Sequence, residues 1–301
     1  MSLVVKYKKC SDLKRVIAFM VDFFFTLFLT LLLLASSLGI FYATPNYQEA
    51  ISIQENLKER SGLYINDKEA PIYLSEESLT IKEQAERLDE IITDFYQNTY
   101  FFATNEELTN YENRKLNEKY NNHNLFIKEN DQIIFTFDQV PDNIYLTYLT
   151  NEYNDSALSS LRNFDEYFNT TRFISLTILL LIVFTFLISS LIFYFFIPLF
   201  SKNNRSTLGM KIFKLGLISN SNYSLTTKEF VFRFFFFFII EYILGFLSFF
   251  IIPLISLSYM LLSKNGVPFH DLLLNSKMID TSGVKIYKNK YELLSALKSQ
   301  P

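Results

Sequence analysis

The chain has 301 residues, half of them hydrophobic, with 33 Phe and a formal net charge of −3. Its single cysteine excludes an internal disulfide, and no Cys/His cluster has the spacing of a zinc site, so we expect no metal centre and no cofactor. The apolar residues come in long blocks with the charges between them. This distribution predicts a membrane protein whose partner is the lipid bilayer and not a nucleic acid.

The first two apolar blocks each predict a transmembrane helix. Residues 16–43 contain Asp22 as their only charge, and residues 173–200 contain no charge. About 20 apolar residues are enough to cross a bilayer as a helix. The first block is longer than the apolar core of a signal peptide, and further blocks follow it, so we expect it to be a retained anchor.

The third block, residues 230–263, is ambiguous. As one helix its 34 residues would be about 51 Å long, which overshoots the bilayer. Gly245 and Pro253 offer positions for a break, so we favour two shortened helices in a hairpin over one kinked helix or a half-spanning first arm. The predicted fold class is mainly α: a membrane helical bundle of two long spans plus a helical hairpin, with a mixed α/β extracytoplasmic insertion.

Charge predicts the orientation of the chain. Residues 45–171 hold 24 acidic and 10 basic residues, a net charge of −14, whereas the rest holds 7 acidic and 18 basic residues. The basic residues flank the apolar blocks, so we expect both termini in the cytoplasm and residues 45–171 outside. Four parts are predicted: 1–44 with the first helix, 45–171 as an external domain, 172–281 with the remaining membrane helices, and a cytoplasmic tail at 282–301.

The external segment has its own secondary-structure signals. Helical spacing of apolar residues covers 78–100, and a second helix start lies at 104–107. Residues 125–137 predict two short strands in a hairpin, and residues 155–169 predict a helix leading into the second span. The many acidic side chains fit a solvated surface better than a set of cation ligands.

Arg15 and Asp22 are seven residues apart, nearly two helical turns, so both lie on one face of the first helix. Their Cα atoms are about 10 Å apart along the axis, too far for an undistorted ion pair. Near the centre of a membrane helix a carboxylate costs about 2.5–3.5 kcal/mol on insertion scales, so Asp22 is expected to face the protein interior.

Two interpretations of Asp22 stay open. It can be a packing clamp, or it can be a cation or proton site. Arg233 lies at a comparable depth, and Asp22, Arg233 and Glu241 are candidates for one polar cluster. Alternatively, Arg15 pairs with an acid from elsewhere, such as Asp271.

Four motifs carry a family resemblance. The segment RVIAFMVD supplies Arg15, Ala18 and Asp22, and TLGMKIFKLGLIS supplies Thr207 and Gly209. Arg233 opens the next helix, and FHDLLLNSKMI supplies the pair His270 and Asp271. In this order the motifs resemble the RDD family of bacterial membrane proteins over residues 11–44 and 172–280, which leaves 45–171 as an insertion.

The resemblance implies a multi-pass protein of the bacterial plasma membrane, with transport, including cation/proton antiport, among its proposed activities. It assigns Arg15, Asp22 and Asp271 to the functional or architectural centre, with Arg233 and His270 as second choices. It implies a tight cytoplasmic turn at Thr207 and Gly209, followed by a short β-like stretch.

Three functions follow. A transporter or antiporter would bind a proton or small cation at Asp22 and would need a homo-oligomer, because four short crossings leave little room for a path. A scaffold, sensor or assembly factor would present the external domain to a protein partner. A membrane enzyme using Asp22 and Asp271 as an acid pair is the least favoured, and we expect no enzymatic activity.

Overall fold

The computed structural model describes residues 7–64, 79–201, 204–248, 251–262, 268, 271–272 and 274–298. His270 lies outside the described residues, and so does the side chain of Glu241. The chain divides into two compact units. The first unit combines Met1–Leu38 with Leu180–Pro301, and the second unit is Gly39–Leu179.

The described residues are mainly helical. The helices are α1 (Asp12–Tyr42), α2 (Pro45–Ser61), α3 (Ile81–Gln97), α4 (Glu106–Asn117), α5 (Asp142–Asn151), α6 (Leu158–Asn163), α7 (Asp165–Ser190), α8 (Ile197–Phe200), α9 (Leu208–Ile212), α10 (Thr227–Phe237), α11 (Leu244–Leu247), α12 (Ile251–Leu262) and α13 (Lys290–Lys298). Wider π-helical turns occupy Glu152–Ala157, Leu191–Phe196 and Phe238–Ile243. The strands are β1 (Lys8–Lys9), β2 (Lys119–Tyr120), β3 (His123–Asn124), β4 (Phe126–Glu129), β5 (Gln132–Phe135), β6 (Leu215–Ser219) and β7 (Ser276–Asp280).

Within the described residues, two helices are long and apolar enough to cross a membrane. They are α1, with 31 residues, and the continuous helix Asp165–Phe200, with 36 residues. Only 22% and 17% of their most apolar windows is buried, whereas the core helix of a water-soluble protein would be mostly buried. Both helices coincide with the spans predicted from the sequence.

The third apolar block is divided into two helical segments. Helix ends at Leu247, α12 begins at Ile251, and the hydroxyl of Ser248 accepts a hydrogen bond from the amide of Ile252 at 3.2 Å. The break therefore lies between the two predicted positions, Gly245 and Pro253. Helix α12 contacts the π-helical turn Phe238–Ile243, so the chain folds back at this point. That this pair crosses the membrane stays a prediction.

A three-stranded antiparallel sheet in the first unit was largely missed by the sequence analysis. Its order is β1–β7–β6, with Lys8 opposite Asp280 and Leu217 opposite Met278. The family pattern indicates a short β-like stretch only at β6. Strand β1 has two residues, so its local sequence carries no strand pattern, and only its distant partner β7 defines it.

The second unit has an apolar core of its own. Helices α3, α4 and α5 surround buried aromatic side chains, among which the largest are Tyr96, Tyr111, Tyr145 and Tyr153. Helix α3 begins with a capping box between Thr80 and Glu83, which satisfies backbone donors at both residues.

A tight hairpin joins β4 and β5 in this unit. Asn130 and Asp131 form the two-residue turn with φ values of 49° and 63°, a left-handed geometry that Asn and Asp tolerate. The predicted helix at 78–100 and the hairpin at 125–137 are present, whereas α2 was not predicted.

Candidate functional site

One face of α1 is polar and buried. Arg15 is 6% exposed, Asp22 is 2% exposed, and Ala18 and Thr26 lie on the same face between and beyond them. The hydroxyl of Thr26 donates to the backbone carbonyl of Asp22, so it is satisfied within the helix. The other faces of α1 carry exposed apolar side chains such as Phe24.

Asp22 is bound by the N-terminus of α9. The Thr207 hydroxyl donates to Asp22 Oδ2 at 2.5 Å, and the Gly209 amide donates to Asp22 Oδ1 at 2.6 Å. Thr207 is also the N-cap of α9, because its Oγ1 accepts from the Met210 amide at 3.3 Å. Oδ1 therefore accepts from a backbone amide that a helix start leaves without an intrahelical partner, and Oδ2 accepts from the hydroxyl of the N-cap residue.

Gly209 allows this close approach. A Cβ added at Gly209 would overlap the backbone carbonyl oxygen of Ala18 and would lie 3.1 Å from Cγ of Asp22. Its backbone is not left-handed, so the predicted tight turn at Thr207 and Gly209 is instead the start of a short helix. The glycine is required for space and not for backbone freedom, and Ala18 is small for the same reason.

Arg233 pairs with Asp271. Arg233 Nε lies 2.5 Å from Asp271 Oδ1, and the Ser276 hydroxyl donates to the same oxygen at 2.6 Å. Asp271 is 1% exposed, so its charge is compensated inside the protein. Of the candidate cluster of Asp22, Arg233 and Glu241, the contact between Arg233 and Asp22 is not formed: no cationic side chain in the described part of the chain forms an ion pair with Asp22. The side chain of Glu241 lies outside the described residues.

Arg15 contacts strand β7. Its Nη2 donates to the backbone carbonyl of Met278 at 3.2 Å, and its Nη1 lies 3.9 Å from Asp12 Oδ1. The same strand brings Asp280 within 2.6 Å of Lys14 Nζ. The hydrogen bond from Lys14 holds the pKa of Asp280 well below its usual range, with a further contribution from Ser282.

Strand β7 thus ties two regions together through alternate residues. Ser276 contacts Asp271, Met278 contacts Arg15 and Asp280 contacts Lys14. The sequence analysis assigned no role to Lys14, Ser276 or Asp280. The segment SKMID has two adjacent apolar residues and no period-two alternation, so its local pattern did not indicate a strand.

The site therefore consists of two separate carboxylate centres in the first unit. One joins Asp22 to α9, and the other joins Asp271 to Arg233 and β7. Among the described residues, no group of three His, Cys, Asp or Glu side chains is placed to hold a metal ion. Its chemistry is hydrogen bonding and charge compensation.

Together with the two apolar helices, the comparisons identify a membrane protein. Residues 142–275 match the family model of the RDD family, in agreement with the resemblance of the sequence motifs. The match begins 30 residues before the predicted start at Arg172 and does not include α1, so an insertion at 45–171 stays a prediction. No curated protein and no solved structure matched the chain.

Proposed function

We propose that this RDD-family protein is a non-transporting membrane scaffold or sensor that works through its second unit, with Asp22 as an architectural clamp. The observation that carries the proposal is that both oxygens of the Asp22 carboxylate are hydrogen-bonded to the start of α9. Oδ1 and Oδ2 each accept a short hydrogen bond from α9. A transported ion would have to compete with these two donors, one of which is the hydroxyl that caps α9.

The remaining charged groups support the same interpretation. Asp271 holds Arg233 and Ser276, and Arg15 holds β7 through the Met278 carbonyl. Each of these contacts fastens a helix to the sheet, as expected of residues that fix the arrangement of segments. Arg15, Asp22 and Asp271 would then anchor the α9–β6–β7 region and would not form a conduction path.

The second unit is the part we propose to act on a partner. A pure ion carrier has no need of a separate apolar core, yet Gly39–Leu179 contains one. We place this unit outside the cell, in line with the net charge of −14 over 45–171 and the basic flanks of the apolar blocks. A folded acidic domain held at the membrane surface fits a protein partner.

The first experiment measures ion-driven proton movement in proteoliposomes that contain the purified full chain. A trapped pH dye reports pulses of sodium, lithium and potassium for the wild type and for Asp22→Asn. We expect no cation-dependent signal in either protein. Asp22→Asn should instead raise hydrogen exchange at 207–212, because an amide NH₂ cannot accept the bond that one carboxylate oxygen accepts.

Asp131→Asn is the matched control, since Asp131 is 97% exposed in the β4–β5 turn and the change is chemically identical. It should leave exchange at 207–212 unchanged. A cation-dependent proton signal in the wild type that disappears in folded Asp22→Asn, but not in the control, contradicts the clamp.

The external unit is tested by replacing residues 45–171 with a flexible Gly/Ser linker. We expect the shortened chain to insert and to keep the Asp22 contacts, but to behave in cells like a deletion of the whole gene. If cells with the shortened chain behaved like wild-type cells, the second unit would have no part in the function.

A cation/proton antiporter is the second candidate, and one observation favours it. Asp22 is bound by a hydroxyl and an amide, both neutral, so its ionised form has no compensating cation among the described residues. A proton or small cation arriving at Asp22 would neutralise that charge. The proteoliposome measurement decides between the candidates.

A further inference from the structure

A cavity of about 480 Å³ lies in the second unit, between α2 and the junction of α6 with α7. The amide of Gln54 on α2 donates to the hydroxyls of Thr170 and Thr171 on α7, at 3.2 and 2.9 Å, and fixes one wall. Arg162, at the end of α6, lines the cavity as well. The cavity is thus framed by polar links and contains a cationic side chain.

The cavity is amphipathic along α7. Its α7 lining extends from Tyr167 to Ser175 and includes Ile174, a distance of about 12 Å along the helix axis. The uncharged apolar block begins at Phe173. The end of the cavity at Ile174 and Ser175, here called its lower end, therefore coincides with the start of the predicted membrane span. The polar headgroup region adds about 5–8 Å on each side of the hydrocarbon core, which matches the upper part of the cavity.

Arg162 has no ion pair with any residue that the structure describes. A guanidinium binds phosphate through two parallel hydrogen bonds and is the side chain best suited to a phosphodiester. Tyr167 and Phe168 lie beside it, at the depth where aromatic side chains meet the interface of a membrane.

We propose that this cavity binds a phospholipid of the outer leaflet, with its phosphate on Arg162 and the start of its acyl chains along Ile174. The surrounding charge favours a phospholipid over a free phosphate as the ligand. Residues 45–171 carry a net charge of −14, which repels a freely diffusing anion. A phospholipid is delivered by the bilayer itself, and its apolar part occupies the lower end of the cavity.

The test uses the purified full chain in phosphatidylcholine vesicles that contain a photoactivatable phospholipid. Its reactive group sits at the top of an acyl chain, and mass spectrometry maps the labelled peptides. Labelling should concentrate in residues 162–175. Arg162→Gln should lower it about tenfold, because a charge-assisted Arg–phosphate contact is lost, and Arg162→Lys should lower it less.

Arg87→Gln is the matched control, since Arg87 is 54% exposed on α3 in the same acidic unit and lies outside the cavity lining. Ser175→Phe fills the lower end and leaves Arg162 in place, so it tests the site even if Arg162→Gln fails to fold. It should also reduce labelling of 162–175.

Two further measurements distinguish a phospholipid from a soluble phosphate ester as the ligand. A photoactivatable diacylglycerol lacks the phosphate and should label 162–175 weakly, and soluble glycerol phosphate should not compete. Equal labelling by diacylglycerol, full competition by glycerol phosphate, or equal losses in Arg87→Gln and Arg162→Gln would each overturn the proposal. Because ion movement is not measured here, failure leaves the clamp at Asp22 unaffected.

Discussion

The core of the second unit and the two long apolar helices place their polar and apolar side chains in opposite ways. In Gly39–Leu179 the core contains fully buried aromatic and aliphatic side chains. In the long helices α1 and α7, large apolar side chains such as Phe24, at 65% exposure, face outwards, whereas hydroxyl and carboxyl groups face inwards. This reversal is what a change of solvent from water to lipid requires.

Asp89 in the second unit and Asp22 in α1 are also stabilised differently. In the second unit Asp89 accepts two bonds from Lys115 and one from Tyr111. In α1 Asp22 accepts from a hydroxyl and a backbone amide. In the second unit, the charge of Asp89 is compensated by a cation. In α1, the carboxylate of Asp22 is instead hydrogen-bonded by neutral groups at the start of α9. The difference teaches that α9 takes the place of a cation at Asp22.

The largest expected effect comes from Lys115→Met. Lys115 is 5% exposed, and its loss leaves Asp89 with only the Tyr111 hydroxyl as a partner. Removing one partner of a buried ion pair costs about 3–5 kcal/mol. We expect the free energy of unfolding of the second unit to fall by this amount, measured by hydrogen exchange of α3 and α4 in urea.

Lys115→Met combined with Asp89→Asn is the informative partner variant, because it removes both charges and keeps an acceptor for Tyr111. It should recover part of the lost stability. If the single variant were no less stable than the wild type, the ion pair would not distinguish this core from α1.

Gly209→Ala should have the next largest effect. The added Cβ overlaps the Ala18 carbonyl, which is backbone and cannot rotate away. Overpacking of this kind costs about 1–3 kcal/mol, and it should separate α9 from Asp22. We expect a lower thermal midpoint of the full chain in detergent and faster exchange at 207–212.

Gly39→Ala is its control on α1, because nothing lies within 4 Å of a Cβ at Gly39. Alanine is the better helix former, so this change should be neutral or slightly stabilising. Equal losses in the two variants would show that the close approach to Ala18 is not what Gly209 provides.

Thr207→Val should cost about 1–2 kcal/mol, because it removes both the cap of α9 and the hydroxyl bonded to Asp22. Thr207→Ser keeps the hydroxyl and should behave like the wild type. The readout is again the thermal midpoint with hydrogen exchange at 207–212. Similar losses for Val and Ser would mean that the methyl group matters more than the hydroxyl.

The sequence predicted which helix faces are buried better than it predicted which side chains contact each other. Helical spacing placed Arg15 and Asp22 on one buried face, and the apolar blocks located α1 and the helix of Asp165–Phe200. The partner of Asp22 was not predictable from charge, since its donors are neutral. Spacing offered one unused signal: Ala18 lies one turn before Asp22, where a small residue leaves room for another backbone.

The sheet shows the other limit. Strand β1 has only Lys8 and Lys9, and its partner Asp280 lies near the opposite end of the sequence. Local pattern cannot reveal a pairing over such a separation, because the residues that stabilise the strand are not its neighbours. The contacts of Lys14 and Arg15 with β7 depend on that pairing and were missed with it.

The smallest expected effect is the pH dependence of the Lys14–Asp280 contact. Lys14 is 41% exposed, so screening by solvent keeps the contribution of this contact small. The pKa of Asp280 is lowered in the folded chain, mainly by Lys14. Its stabilisation is therefore fully present above the unfolded value of about 3.9 and is lost as the pH falls towards the lower folded value.

The difference in thermal midpoint between the wild type and Asp280→Asn measures this contribution. It should be constant between about pH 5 and 7 and should shrink below about pH 4. Asp131→Asn, at a carboxylate that is 97% exposed, should show a small difference throughout. A difference for Asp280→Asn that persists unchanged at low pH would mean that the link between α1 and β7 depends on packing. The clamp at Asp22 would then be the main polar connection of α1 to the rest of its unit.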